Sequence, residues 1–232
     1  MEAKIKLINV TKSFPSYQSA VYKGNYFSII DIFLKKKNKK KEIIKNLNLD
    51  ISKGDILGIS GKNGSGKSTL IRIISSIYYP EEGQVKIDGS IASIIESETG
   101  FIKELTVLDN IYLHCTNLGL CKSKIKKILP KILLFSNLKE FKNTELKFLS
   151  SGMYSKLSFS VSIFSDCDIL IFDENFSFND QNFLKKAFKK IKKIKKNKIF
   201  IIVSHQKKIL EQVCNKILYL QGNCKYKTKK IN

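Results

Sequence analysis

The sequence predicts an α/β protein whose strand–helix–strand core is interrupted by a helical insert. Three observations predict it. A short apolar strand, a glycine-rich loop and an apolar helix follow one another between Asp55 and Ile77, the start of a parallel α/β unit. The same alternation resumes after Gly152, where the apolar runs "DILIFDE" and "KIFIIVSH" flank an amphipathic helix. Between these halves, residues 106–148 read as mostly helical. A length of 232 residues allows one large domain, or a core with a subdomain, and 43% hydrophobic content with 15 Phe supplies a packed core.

Each element has its own signal. Lys4 to Val10 alternates as a strand does, and so does 43–50, "IIKNLNLD". Asp55 to Ser60 is a buried-type strand, and Thr69 to Ile77 the helix after the loop. "GQVKIDGSIASII" gives two short strands. "TVLDNIYLHCTNLG" and "KSKIKKILPKILLFSNL" are amphipathic, with Pro130 expected to interrupt the second and His114 expected to pack. In "LSSGMYSKLSFS", Ser150-Ser151-Gly152 reads as a turn leading into a helix, with hydroxyls and backbone N–H groups suited to an anion. "NFLKKAFKKIKKIKK" is a helix with Phe183, Leu184, Ala187, Phe188, Ile191 and Ile194 as its buried stripe. "KILYLQGN" is read as the closing strand, and no internal repeat is present.

Composition narrows the partners. The net charge of +22 invites nucleic acid, yet of 42 basic residues Arg72 alone is an arginine, whereas base and phosphate readers rely on arginine forks. A solvated lysine surface is the favoured reading, attraction to an anionic membrane the next, and no nucleic acid is expected. Five cysteines without a C-x-x-C pair argue against a disulfide framework or zinc and for a reducing compartment. No apolar run reaches the roughly 20 residues of a membrane span, and "MEAKIKLINV" lacks a signal-peptide core. A cytosolic chain is the expectation. Residues 15–41 are an insertion between two strands. They read either as a lysine-rich surface loop or as an amphipathic helix over 26–36, with Phe27, Ile30, Phe33 and Leu34 on one side, at a membrane interface or membrane partner.

The chemistry lies in three places. Gly61-Lys62-Asn63-Gly64-Ser65-Gly66-Lys67-Ser68 matches G-x-x-x-x-G-K-[ST], after a strand and opening a helix. Its backbone N–H groups cradle phosphates, Lys67 reaches the β- and γ-phosphates, and Ser68 serves Mg²⁺. Asp173 ends an apolar strand, where a carboxylate holds Mg²⁺ through water, and Glu174 beside it is placed to take a proton from an attacking water. His205 ends another strand, where ligands gather in parallel sheets.

These pieces, in this order and over nearly the whole chain, resemble the nucleotide-binding subunit of ATP-binding cassette (ABC) transporters. The resemblance implies a P-loop NTPase (RecA-like) core with an antiparallel β subdomain and a helical subdomain. It assigns 1–98 and 155–232 to the core, 99–154 to the helical subdomain, and no C-terminal carbohydrate-binding domain. It makes Gly61–Ser68 and Thr69 the Walker A site, Leu149–Met153 the signature, Ile169–Glu174 the Walker B strand with its catalytic glutamate, Ser177–Asp180 the D-loop and His205 the switch histidine. In "NVTKSF", Phe14 takes the adenine-stacking role. Ser150, Ser151, Gly152 and Asp180 are expected to act across a head-to-tail dimer. Two departures narrow the family: Leu-Ser-Ser-Gly-Met stands for Leu-Ser-Gly-Gly-Gln, and Glu96 occupies the usual glutamine position of the Q-loop. With "TGFIKELT" and the insertion, they resemble the exporters of capsule, O-antigen or teichoic acid. Glu96 serves either the metal through water or the link to the helical subdomain, and the link is favoured. The implied function is an ATPase, using ATP and Mg²⁺, that drives lipid-linked polysaccharide export through a separate permease from the inner face of the plasma membrane. An importer or small-molecule exporter subunit, or a nucleic-acid- or ribosome-associated ATPase, are the alternatives.

Overall fold

A computed structural model describes residues 4–15, 40–94, 100–173, 180–222 and 224–231. The segment 26–36, Glu96, Glu174 and Ser177 lie outside the described residues.

The described strands are β1 (Lys4–Pro15), β2 (Lys40–Ser52), β3 (Ile56–Gly61), β4 (Glu82–Asp88), β5 (Ile91–Ile94), β6 (Ile169–Asp173), β7 (Ile199–Val203), β8 (Lys216–Gly222) and β9 (Lys225–Lys230). They form two sheets. An antiparallel sheet has the order β2-β1-β4, and a six-stranded sheet the order β5-β6-β7-β3-β8-β9. In the latter β5, β6, β7, β3 and β8 run parallel, and only β9 runs antiparallel to its neighbour. The helices are α1 (Lys67–Ile74), α2 (Val107–Asn117), α3 (Lys122–Ser136), α4 (Ser151–Phe164), α5 (Gln181–Ile194) and α6 (Lys207–Val213).

The parallel strands are apolar on both sides because both faces are covered. On one face Leu57, Ile59, Ile171, Ile201 and Val203 pack with Leu70, Ile71 and Ile74 of α1 and with Ile5 and Leu47 of the antiparallel sheet. On the other, Ile56, Leu170, Phe172, Phe200 and Ile202 meet Phe159 and Ile163 of α4, Phe183 and Phe188 of α5, and Leu210 of α6. Each such side chain contributes about 1.5–3 kcal/mol on burial. A third cluster joins Val107 and Ile111 of α2, Ile125, Ile132 and Leu133 of α3, and Leu157 and Val161 of α4. Asn110, fully buried, pins the turn before α2: it accepts from Ile102 N and donates to the carbonyls of Ile102, Leu105 and Thr106.

Four boundaries correct the sequence reading. The first helix starts at Lys67 itself and stops at Ile74, before a left-handed Ser76 (φ 58°), so Ile77 lies outside it. Pro130 sits inside α3 without ending it. The ring removes one amide bond on an exposed face, while Ile125 on one side and Ile132 and Leu133 on the other hold the helix down. β8 does not close the fold, since β9 returns along it. The short helix α6 was not expected from the pattern either.

Candidate nucleotide site

The P-loop lies between β3 and α1. Gly66 caps α1 with a left-handed backbone (φ 100°) and no side-chain acceptor, so the helix presents its first N–H groups uncapped. Ser65 N donates to Lys62 O (3.1 Å). Ser65 Oγ is buried with no hydrogen-bond partner among the described residues, an orphan polar atom in a loop shaped for phosphate. Lys67 is only 6% exposed, and its Nζ donates back to Gly61 O (3.1 Å) and Lys62 O (3.3 Å), which holds the ammonium against the loop. Gly61 is demanded by packing: a Cβ there would fall inside contact distance of Leu220 O and Ser65 Oγ.

Sheet register gathers the other expected groups at this end. Ile59 pairs with Val203 and Val203 with Asp173, so the ends of β3, β7 and β6 are level. Ile169 and Ile171 face the α1 side, and strand alternation puts Asp173 on that side too, where Ser68, the second residue of α1, is exposed. Ser204, whose N–H donates to Ile59 O (3.2 Å), carries the chain into His205, which is exposed.

Phe14 is half-buried near the end of β1 and meets Tyr78 edge to face, with ring centroids 5.7 Å apart. Tyr78 is steadied by Arg72 Nη1 (3.1 Å to its hydroxyl), and the Lys12 ammonium lies 5.4 Å from the centre of the Phe14 ring. Phe14 pairs with Lys41, and Lys41 lines a cavity of about 220 Å³ with Lys62, Asn63, Gly64 and Ser65. Thus the backbone connects the aromatic to the phosphate loop. Gln221 and Ile43 also border this cavity, and the sequence reading missed both. They belong to strands, β8 and β2, that carry no motif.

The signature segment is built differently. The helix begins at Ser151, so Ser151 and Gly152, read from sequence as part of the turn before it, lie in its first turn. Ser150 is the N-cap, its Oγ accepting from Met153 N (3.2 Å). A Cβ on Gly152 would meet nothing within 4 Å among the described residues. Leu149, Met153 and Tyr154 pack on the helical cluster, whereas α1 packs on the opposite face of the large sheet from the rest of α4. Asp180 caps α5 through Oδ1, accepting from Asn182 N and Phe183 N (3.0 Å each). Its Oδ2 takes a bond from Lys156 of α4 (2.6 Å), and that bond is the main reason its carboxyl titrates below the usual range.

Sheet order, loop and register together define a P-loop nucleotide-binding protein. The family described as ABC transporter matches residues 44–177, more than half of the sequence. The chain belongs to the ABC transporter family, and its chemistry is that of a transport ATPase. It is 34% identical over 226 residues to the O-antigen export system ATP-binding protein RfbB of Klebsiella pneumoniae, covering 96% of this chain and 92% of that one. It is 36% identical over 222 residues to the teichoic acids export ATP-binding protein TagH of Bacillus anthracis, where it spans 39% of the longer relative. Among solved structures, it superposes on an ATP-binding subunit of an ABC transporter with a TM-score of 0.77 at 19% identity, covering 97% of this chain and 89% of that one. On the cassette MJ0796, a dimer bound to ADP and Pi, the TM-score is 0.76 at 22% identity, with 98% and 99% covered. These two likenesses establish the fold.

Proposed function

We propose that this chain powers export of a lipid-linked polysaccharide, working as a head-to-tail dimer beneath a separate membrane permease. The observation that carries the dimer is the signature turn: among the described residues nothing lies within 4 Å of where a Cβ on Gly152 would sit, in a segment suited to an anion. Export of a glycan rests on the names of the relatives and on the Leu-Ser-Ser-Gly-Met signature. No helix among the described residues is long and apolar enough to cross a membrane, which agrees with a separate permease.

In this reading the triphosphate lies on the loop from Gly61 to Ser68, Ser65 Oγ gains its missing partner, and Lys67 turns from the loop carbonyls to the phosphates. Thr69 supports the first turn, and Phe14 stacks on adenine. A hydroxyl from Ser68 and a carboxylate from Asp173, both on the α1 side of the large sheet, fit Mg²⁺ and would hold it. The metal would supply charge neutralisation there. Glu174 takes the proton of the attacking water, and His205 contacts the γ-phosphate. Ser150, Ser151 and Gly152 of the second copy close over that phosphate, and Asp180 lies beside the junction. Glu96 links the site to the helical part.

Complementation tests the reading. In a source strain lacking this gene, the wild-type gene should restore surface glycan. Lys67→Ala should fail to, while purified Lys67→Ala loses at least about 100-fold in ATP turnover. Normal surface glycan in the deleted strain, with transport of another solute lost, would refute the export assignment.

A further inference from the structure

Two helices carry lysine without compensating charge. α5 has six lysines and no carboxylate, and α3 has five lysines and no carboxylate. Phe183, Leu184, Ala187, Phe188 and Ile191 turn one side of α5 inward, so Lys185, Lys189, Lys192 and Lys193 stand exposed on the other. On α3, Ile125, Ile132 and Leu133 are buried, while Lys127 and Lys131 are exposed. Lysines elsewhere have partners: Lys4 pairs with Asp50 (3.3 Å), Lys45 with Glu42 (2.9 Å) and Lys216 with Asp55 (2.6 Å). Of the lysines on α3 and α5, Lys124 alone forms an ion pair among the described residues, with Asp166.

The two helices form one surface. Lys186 of α5 ties them, its Nζ donating to Phe135 O of α3 (2.9 Å) and lying 4.5 Å from the centre of the Phe135 ring. Lys190 lies 4.3 Å from the centre of the Phe164 ring. Burial, with Lys193 of its own helix and Lys131 of α3, holds the Lys190 ammonium below the ordinary lysine value. Lysines of both helices thus crowd into one field, and a layer of anions outside the protein relieves their repulsion. Leu134 stands in this field 70% exposed, and its carbonyl accepts from Lys186 Nζ (3.4 Å). We infer that the α3–α5 face docks on an anionic lipid bilayer, with its lysines over the headgroups and Leu134 entering the boundary with the acyl chains. Lysine heads on flexible stems follow a diffuse plane of charge. Nucleic acid is read by arginine forks and exposed aromatic rings, and neither helix has an arginine or an exposed aromatic. The inference goes beyond the transport reading and does not lean on it, because vesicle binding is read without ATP.

The full chain is sedimented with vesicles of phosphatidylcholine, alone or with about 30% phosphatidylglycerol, at about 0.1 M salt. Wild type should bind the anionic vesicles at least about tenfold more tightly than the neutral ones. Each lysine at an anionic surface multiplies affinity roughly fivefold. Lys185→Gln, Lys189→Gln and Lys193→Gln combined should therefore lose at least about tenfold, and Lys127→Gln with Lys131→Gln about fivefold or more. Leu134→Ser should lose about threefold. A control removes the same charge from β9, at the edge of the large sheet opposite β5 and β6. Lys225→Gln, Lys227→Gln and Lys229→Gln combined should bind anionic vesicles within about threefold of wild type. All variants should keep the wild-type melting temperature and ATP turnover without lipid. Equal binding by wild type and the α5 variant would overturn the inference. Equal losses in the α5 and β9 variants would too, since net charge alone would then explain the binding. So would equal binding to neutral vesicles. Tighter binding of an RNA oligonucleotide than of vesicles, lost in the α5 variant, would give the face to nucleic acid instead.

Discussion

Two helix starts in this molecule look alike in sequence and are built in opposite ways. At α1 the cap is Gly66, which offers no side chain to the helix N–H groups, and the loop before it keeps Ser65 Oγ buried and unpartnered among the described residues. At α4 the cap is Ser150, which satisfies Met153 N by itself, and Gly152 has nothing within 4 Å of a Cβ position among the described residues. The first is a cradle whose polar groups are complete only with a ligand. The second carries its own side-chain cap. In the proposed dimer these two anion-suited turns are two halves of one site; within one chain α1 and the body of α4 lie on opposite faces of the same sheet.

The glycines give the sharpest contrast. Gly61→Ala forces a methyl group against Leu220 O and Ser65 Oγ, so it should cost about 1–3 kcal/mol and weaken ATP binding. For a chain of this size that is roughly 2–4 °C of melting temperature per kcal/mol. Gly152→Ala meets no atom within 4 Å among the described residues, and alanine is the better helix former. Its melting temperature should be equal or higher, and its ATP binding unchanged, while ATP turnover falls roughly tenfold or more where a backbone must approach phosphate closely. Equal destabilisation in calorimetry of the two variants would erase the distinction between cradle and half-site.

A smaller effect should separate the two regions by pH. His114 stacks on Phe101 with centroids 4.8 Å apart, and Phe101 meets Tyr154 of α4 at 5.3 Å. Burial holds the His114 imidazole below its ordinary value, against a lesser upward pull from the Gly100 backbone. As pH falls through about 6.5, the unfolded chain takes this proton before the folded one does. Stability is then complete above that pH and lost toward acid. Wild type should lose more melting temperature between pH 7.5 and 5.5 than His114→Phe, which keeps the ring stack. An identical loss in both would show that His114 does not set the acid sensitivity.

What the sequence revealed follows from how local the physics is. The P-loop was legible because a phosphate cradle needs its glycines and lysine at fixed spacing. The stripe of α5 was legible because Phe183, Leu184, Ala187, Phe188 and Ile191 recur at helical period and are all buried. β9 was not legible: in "KYKTKK" only Tyr226 is partly buried, and the strand forms by pairing with β8 and by the Tyr226 hydroxyl bonding Asn46 O (2.8 Å), 180 residues away. Pro130 misled because a proline on an exposed helix face loses one bond, while burial on either side decides the helix. Lys156 carried no signal either, since its partner Asp180 is 24 residues distant and the pair exists only through the packing of α4 on α5.

Mass shows whether Ser150 to Gly152 completes the partner's phosphate site. Glu174→Gln protein, unable to turn over ATP rapidly, is weighed by analytical ultracentrifugation with and without ATP, alone and combined with Gly152→Asp. ATP should double the mass of Glu174→Gln, whereas the Gly152→Asp combination should stay monomeric and bind ATP with affinity within about twofold. Dimerisation of both proteins, or loss of ATP binding in the monomeric Gly152→Asp variant, would contradict it.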